Sequence, residues 1–288
     1  MKNILERKIR NVVRQFLNEK QGINQGVYDG ANKVLSLIRN DAEIMWNNEE
    51  YDKVFDGNAF VVRGEFPFTL AEEEITVVYN SYIFQDQETY CSYVSKYPKM
   101  LKNATSVYSK DNCQIFVVYN YIEEDGYDES IYDRVQHELE HLFQEIQKNG
   151  TFPSSDLKDL VNRGLGMRIK EPNIFKASFI LYCSRQYEQD ACANGLYNWL
   201  QNGTTDKDNI VRDSALVKNR RICLKYINEL ETLMNVETEK DKIKSFFGMT
   251  LEKILKKGCN ACVRMKNKAN RTIFKYNTDT ENKVSFIG

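Results

Sequence analysis

The feature that most constrains this chain is the segment VQHELEHLFQ at residues 135–144, which contains its only two histidines. His137 and His141 lie four residues apart, and Glu138 follows the first histidine directly. In a helix this spacing puts both imidazoles on one face, one turn apart. Two imidazoles on a helix are half of a tetrahedral zinc site, and the adjacent glutamate can act as general base toward a zinc-bound water. The motif therefore predicts a zinc centre built on a helix.

The residues around the motif predict that helix directly. Asp128 or Ser130 can cap its start, and Asn149-Gly150 can end it after about Lys148. Apolar residues recur at helical spacing and predict a buried face, with the histidines on the other side. The predicted buried residues are Ile131, Val135, Leu139, Leu142, Phe143 and Ile146.

The segments before this helix predict a mixed architecture. A helix is expected over about 27–48, followed by strands at 58–63, 75–84 and 113–122, which are rich in Val, Ile, Tyr and Phe. Residues 90–97 are ambiguous within this strand-rich section, and Pro98 interrupts them. Strands followed by the histidine helix predict an α+β fold.

The third zinc ligand is expected on a later helix, predicted over 173–201. One face of that helix carries small residues, which allow another helix to approach closely, and Glu188 interrupts it. An unpaired buried carboxylate is strongly unfavourable, so Glu188 is the predicted ligand. The alternatives are a glutamate on a partly solvated face, or Asp190 as the ligand two positions on. Three protein ligands would leave one position open for water, as a hydrolase needs. Tyr187, Tyr197 and Arg185 are candidate donors to the oxyanion of such a reaction.

The HELEH motif, followed by the glutamate of YEQDACANGLY, resembles the zincin metallopeptidases of the gluzincin type. The resemblance covers about residues 58–200 and implies a twisted sheet, an active-site helix and a glutamate-bearing helix alongside. It also implies zinc held by His137, His141 and Glu188, with Glu138 as the catalytic residue. Many gluzincins carry an aspartate four positions after the ligand glutamate, where this chain has Cys192. A carboxylate behind the first histidine must then be Asp190, come from elsewhere or be absent.

Composition limits the partners. Lys and Arg total 40 against 41 Asp and Glu, a formal charge of −1 that does not favour nucleic-acid binding. The apolar runs are too short for a membrane span, and the first 20 residues do not read as a secretory signal. With seven scattered cysteines, the expected setting is reducing and cytoplasmic. Cys259 and Cys262 form one C-x-x-C without a partner pair, and incidental spacing is the favoured interpretation.

Residues 1–20 predict an amphipathic helix with a basic face, either an ordinary first helix or a docking element for a partner. It resembles the short basic helices that begin many phage and prophage proteins, which would make a virion-associated location the alternative. The predicted organisation is a helical arm at 1–50, a zincin-like core at 51–205 and a helical region at 206–288.

Three hypotheses of function follow from these features. The first is zinc-dependent hydrolysis of a protein or peptide. The second is a catalytically silent zincin-fold structural or virion protein that still binds metal. The third is an adaptor without metal, in which the histidines are solvated.

Overall fold

A computed structural model of the chain describes most of the sequence. The described ranges are 25–70, 72–97, 106–109, 114–122, 126–147, 156–280 and 283–288. The basic helix expected at 1–20 lies outside the described residues.

The described residues form a mixed α+β fold, as expected from the sequence. The strands are β1 (Asp52–Val54), β2 (Ala59–Leu70), β3 (Glu73–Phe84), β4 (Ser106–Ser109), β5 (Gln114–Ile122) and β6 (Gly126–Tyr127). The helices of the first half are α1 (Gln25–Asn47), α2 (Gln87–Lys96) and α3 (Ile131–Gln147). Those of the second half are α4 (Asp156–Leu165), α5 (Pro172–Cys183), α6 (Gln186–Asn202), α7 (Lys207–Asp213), α8 (Ala215–Glu231), α9 (Glu237–Phe247) and α10 (Leu251–Thr280).

The strands form one mixed sheet. Its order in the described residues is β1-β2-β3-β5-β4, and β6 also pairs with β5. β3 and β5 run parallel, from Thr76 opposite Gln114 to Phe84 opposite Ile122. The other pairs are antiparallel, including β4 with β5. β4 is therefore an antiparallel edge strand, and it packs against α3.

The two faces of the sheet bury different sets of side chains. On β3, Ile75, Val77 and Tyr79 point toward the helices and join the large hydrophobic core. Tyr82 and Phe84 join a smaller aromatic cluster that includes Tyr93 of α2 on the opposite face. This alternation is the period of two that a strand buried on both faces requires.

The large core continues from the sheet into the helices of the second half. Buried residues of α1, α3, α6, α8 and α10 belong to the same hydrophobic cluster. Tyr79 of β3 connects the sheet to α1, because its hydroxyl donates a hydrogen bond to the Asp41 carboxylate at 2.6 Å. Among the described helices, none combines the length and the apolar character that crossing a membrane would need.

The prediction of one long helix over 173–201 is wrong, because the helix is interrupted between α5 and α6. Ser184 ends α5 by donating its hydroxyl to the Leu181 carbonyl at 2.7 Å, and Arg185 adopts an extended ψ of 125° before α6 begins. The helical face drawn through residues 177–195 is therefore not continuous. Further along the chain, α7 and α8 are separated at Ser214, and α10 continues without interruption to Thr280. Residues 90–97 fall mostly within α2.

Candidate metal centre

The candidate site lies where α3 and α6 pack against each other in opposite directions. Along α3, Asp133 lies against Gly195, His137 against Cys192 and His141 against Glu188. Successive turns of α3 therefore contact progressively earlier residues of α6. A buried hydrogen bond of 3.1 Å from the Asn198 amide to the Gln136 side chain adds a further contact.

Gly195 allows the two helices to come this close. A Cβ added there would lie 2.0 Å from Asp133 Oδ1 and 2.6 Å from the Asp133 carbonyl oxygen. Both distances are far below van der Waals contact, and one of the atoms is backbone. The prediction that small residues on the Glu188 helix admit a neighbouring helix is confirmed at this position.

Three potential ligand atoms converge at the centre of this contact. The His137 and His141 Nε2 atoms lie 3.0 Å apart. The Glu188 Oε2 atom lies 3.2 Å from His141 Nε2 and 3.7 Å from His137 Nε2. Among the described residues, these three form the one cluster of metal-binding residue types whose ligand atoms all lie within 4.8 Å of one another. Glu188, placed here from the sequence, does lie beside the histidines.

The spacing of the three atoms fits a tetrahedral metal ion. Zinc bound at about 2.0–2.1 Å places its ligand atoms about 3.3–3.4 Å apart. The three separations, 3.0, 3.2 and 3.7 Å, scatter around that value. Two imidazoles and one carboxylate are also a donor set that zinc uses in open sites. The residues present therefore fit zinc, as three of the four ligands of a tetrahedral site.

The electrostatics of the cluster give the protonation states that a metal needs. Burial, and then the charge of His141, lowers the pKa of His137 to about 4. For Glu188, burial acts to raise the pKa, but the hydrogen bond and charge of His141 outweigh it and hold the pKa below its usual value. The pKa of His141 is raised, since Glu188 and the charge of Glu138 overcome the opposing effect of burial. A neutral His137 beside an ionised Glu188 is ready to coordinate, and a metal would displace any proton from His141.

Side chains from the junction of α5 and α6 border the cluster. The hydroxyl of Tyr182 hydrogen-bonds to Glu188. Arg185 Nη1 lies 4.0 Å from Glu188 Oε1, and the ring of Tyr187 meets the ring of His141 edge-on at 5.8 Å. Tyr197, the third candidate donor from the sequence, instead donates its hydroxyl to Asp279 at 2.5 Å. Arg185 and Tyr187 therefore remain the candidates beside the site.

Asp190, the alternative third ligand, makes a different contact. Its carboxylate forms an ion pair with Lys268 of α10, whose side chain is buried. Asp190 is also not the carboxylate behind the first histidine.

The Cys192 thiol takes the place beside His137 instead. In the described part of the chain it is the partner of His137 Nδ1, with the sulfur 3.5 Å away. Burial, and then the charges of Asp133 and Glu188, raises the pKa of Cys192 well above its usual value, so the thiol stays neutral.

The C-x-x-C cysteines are both free thiols and differ in burial. Cys259 is exposed on α10 and Cys262 is buried, donating weakly to the Arg220 carbonyl at 3.9 Å. Incidental spacing remains the favoured interpretation of this motif.

Two contributors could not be recognised from the sequence. Tyr182 reaches Glu188 across a helix break that no proline or glycine marks. Asn219 of α8 donates to the Cys192 sulfur at 3.9 Å from a helix 27 residues further along the chain. Neither residue has a local pattern that connects it to the histidine motif.

The fold and the site together define a class: an α+β protein with a potential metal-binding cluster of two histidines and one glutamate between two antiparallel helices. Comparisons with protein-family models, with curated proteins and with solved structures found no match to this chain.

Proposed function

We propose that this protein is a zinc-dependent peptidase of the zincin type, in which Glu138 is the catalytic residue. The observation that carries the proposal is the convergence of His137 Nε2, His141 Nε2 and Glu188 Oε2 at 3.0–3.7 Å from one another. Zinc held by these atoms would polarise a substrate carbonyl and make a water molecule acidic.

The chain's own residues supply the proton chemistry. Glu138 follows His137 on α3, is only partly buried, and acts electrostatically on His141. In the proposed reaction its carboxylate accepts a proton from the attacking water and passes it to the leaving amine. Arg185 and Tyr187 are the proposed donors to the oxyanion, because they border the cluster.

The sheet supports a peptide as the substrate. β4 is an edge strand in the described part of the sheet, runs antiparallel to β5 and packs against α3. An edge strand offers backbone donors and acceptors to an extended peptide, which binds by strand addition. A substrate bound in this way would pass close to the histidine helix.

The test is the variant Glu138→Gln, which keeps the shape of the side chain and removes the base. We expect peptide hydrolysis to fall by about 10²–10⁴-fold while zinc content is unchanged. The matched control is Glu140→Gln, the same substitution two residues later, where the side chain is buried and hydrogen-bonded to Asn194. Hydrolysis of a peptide library should stay within severalfold of wild type in that control.

Two outcomes would contradict the proposal. Equal hydrolysis by Glu138→Gln and wild type would remove Glu138 from the reaction. Stoichiometric zinc without turnover of any peptide would instead favour the second candidate, a catalytically silent metal-binding protein. The observation that favours this candidate is the neutral thiol of Cys192 behind His137, where a carboxylate would make the imidazole a stronger ligand.

A further inference from the structure

The two ring nitrogens of His137 face different groups. Nε2 faces His141 and Glu188, at 3.0 and 3.7 Å. Nδ1 faces the sulfur of Cys192 at 3.5 Å. Cys192 is buried and lies one turn after Glu188 on α6, so a single helix contacts both sides of the imidazole.

Metal binding through Nε2 requires one tautomer of His137. A neutral imidazole that coordinates through Nε2 carries its proton on Nδ1, and that proton needs an acceptor in a buried site. The Cys192 sulfur is the acceptor in position, although a thiol accepts more weakly than a carboxylate. A misplaced proton on Nε2 would block the ligand atom altogether.

The Cys192 sulfur is also contacted by α8. The Asn219 amide donates to the Cys192 sulfur at 3.9 Å, and the Asn219 carbonyl lies 3.9 Å from the Cys183 sulfur, which donates to it. Cys192 is thus placed between His137 and Asn219. Its orientation is set by a neighbouring helix as well as by its own.

We propose that Cys192 is a positioning residue that keeps the proton of His137 on Nδ1 and orients the ring for metal binding. The proposal rests on the metal site put forward under the proposed function. It goes beyond it by giving a role to a residue that would otherwise be a buried packing thiol.

The experiment compares zinc dissociation constants, measured by competition with a chromophoric chelator. Cys192→Val keeps the apolar volume but offers no acceptor, and we expect zinc affinity to fall by about 10–100-fold. Cys192→Ser restores an acceptor and should stay within about threefold of wild type. The control is Cys262→Val, because Cys262 is as buried as Cys192 but contacts the Arg220 carbonyl instead of a histidine, and its zinc affinity should not change.

A second readout needs no variant. The chain has two histidines, so a sample labelled with ¹⁵N-histidine shows two rings. In the zinc-loaded wild type we expect His137 to carry its proton on Nδ1, with slow exchange that becomes faster in Cys192→Val. This measurement reports on the hydrogen bond itself, so it separates positioning from a general loss of stability.

Each contrary result is distinct. Zinc-loaded His137 with its proton on Nε2 would overturn the proposal, as would wild-type zinc affinity in Cys192→Val or an equally weak Cys192→Ser. In these cases the metal site would stand and only the role of Cys192 would fall. A wild-type protein that binds no zinc would overturn the metal site and this proposal together.

Discussion

At the scale of single residues, the site depends on which acid faces the histidines. Glu188 and Asp190 are two residues apart on α6, yet one lies 3.2 Å from His141 and the other pairs with Lys268. Positions two apart on a helix point about 200° away from each other, so one helix face cannot use both. The sequence interpretation that ranked Glu188 above Asp190 follows from this geometry.

This difference predicts opposite behaviour of two conservative variants. Glu188→Gln should weaken zinc binding by at least 100-fold, because it removes a charged ligand atom. Asp190→Asn should leave zinc affinity within severalfold but destabilise the fold by about 3 kcal/mol, since it leaves the buried Lys268 charge without its partner. Zinc titration and urea unfolding of both variants check this, and a reversal of the two phenotypes would assign the ligand to Asp190.

Asp133 predicts a pH effect on stability. Burial raises the pKa of its carboxyl to about 6, although the Ala215 N–H, which it accepts at 2.9 Å, acts in the opposite direction. A carboxyl whose pKa is higher in the folded state contributes stability that is fully present below its unfolded pKa near 4. That stability is lost as pH rises toward 6, by up to about 3 kcal/mol.

The variant Asp133→Asn cannot ionise, so it should gain stability relative to wild type as pH rises from 4 to 7. The measurement is urea unfolding of both metal-free proteins across that range. A constant difference between them, whatever its size, would show that the carboxyl does not titrate as described.

At the scale of elements, the register of α3 against α6 determines whether the ligands meet. Gly195→Ala would push the added Cβ against the Asp133 backbone, which cannot move without moving α3. We expect a loss of about 1–3 kcal/mol in stability and a fall in zinc affinity of at least tenfold. Zinc titration of the folded variant provides the measurement.

The matched control is Gly258→Ala on α10, where the nearest atoms belong to the side chains of Ile180 and Ile227 instead of to backbone. That variant should lose stability without losing zinc affinity. If both variants bound zinc as wild type does, the close approach at Gly195 would be a packing feature without influence on the site.

The helices also show which parts of the fold could be predicted from the sequence. The histidine helix was predictable, because its apolar residues recur with helical period and its ends carry recognisable signals; it runs from Ile131 to Gln147. The break at Ser184 was not predictable, because it contains neither proline nor glycine. It is held by tertiary contacts, such as the hydrogen bond that Arg264 of α10 donates to the Ser184 carbonyl at 3.1 Å. Glu188 was therefore identified through a chemical argument about a lone buried acid, while the continuous helical face assumed for it was wrong.

At the scale of the whole molecule, the site joins parts of the chain that are distant in sequence. α3 and α6 share one hydrophobic core with the sheet and with α10. A metal that binds these ligands only when the helices are assembled must stabilise the entire folded state, by about 2.7 kcal/mol at a free concentration of 100 times the dissociation constant.

Zinc should therefore raise the melting temperature of the chelator-treated protein by about 5 °C, and chelation should reverse the gain. Thermal unfolding at several zinc concentrations is the measurement. His141→Ala should show no such rise, and an equal rise in that variant would place the bound zinc elsewhere in the molecule.

The antiparallel arrangement of α3 and α6 also limits how this chain can change in length. One residue inserted into α6 between Glu188 and Gly195 would turn the glutamate by about 100° relative to the glycine contact. The acid would then face away from the imidazoles while the helices stayed packed. Insertions and deletions are thus tolerable in the connections around these two helices, but within them the spacing is as much a part of the site as the ligands themselves.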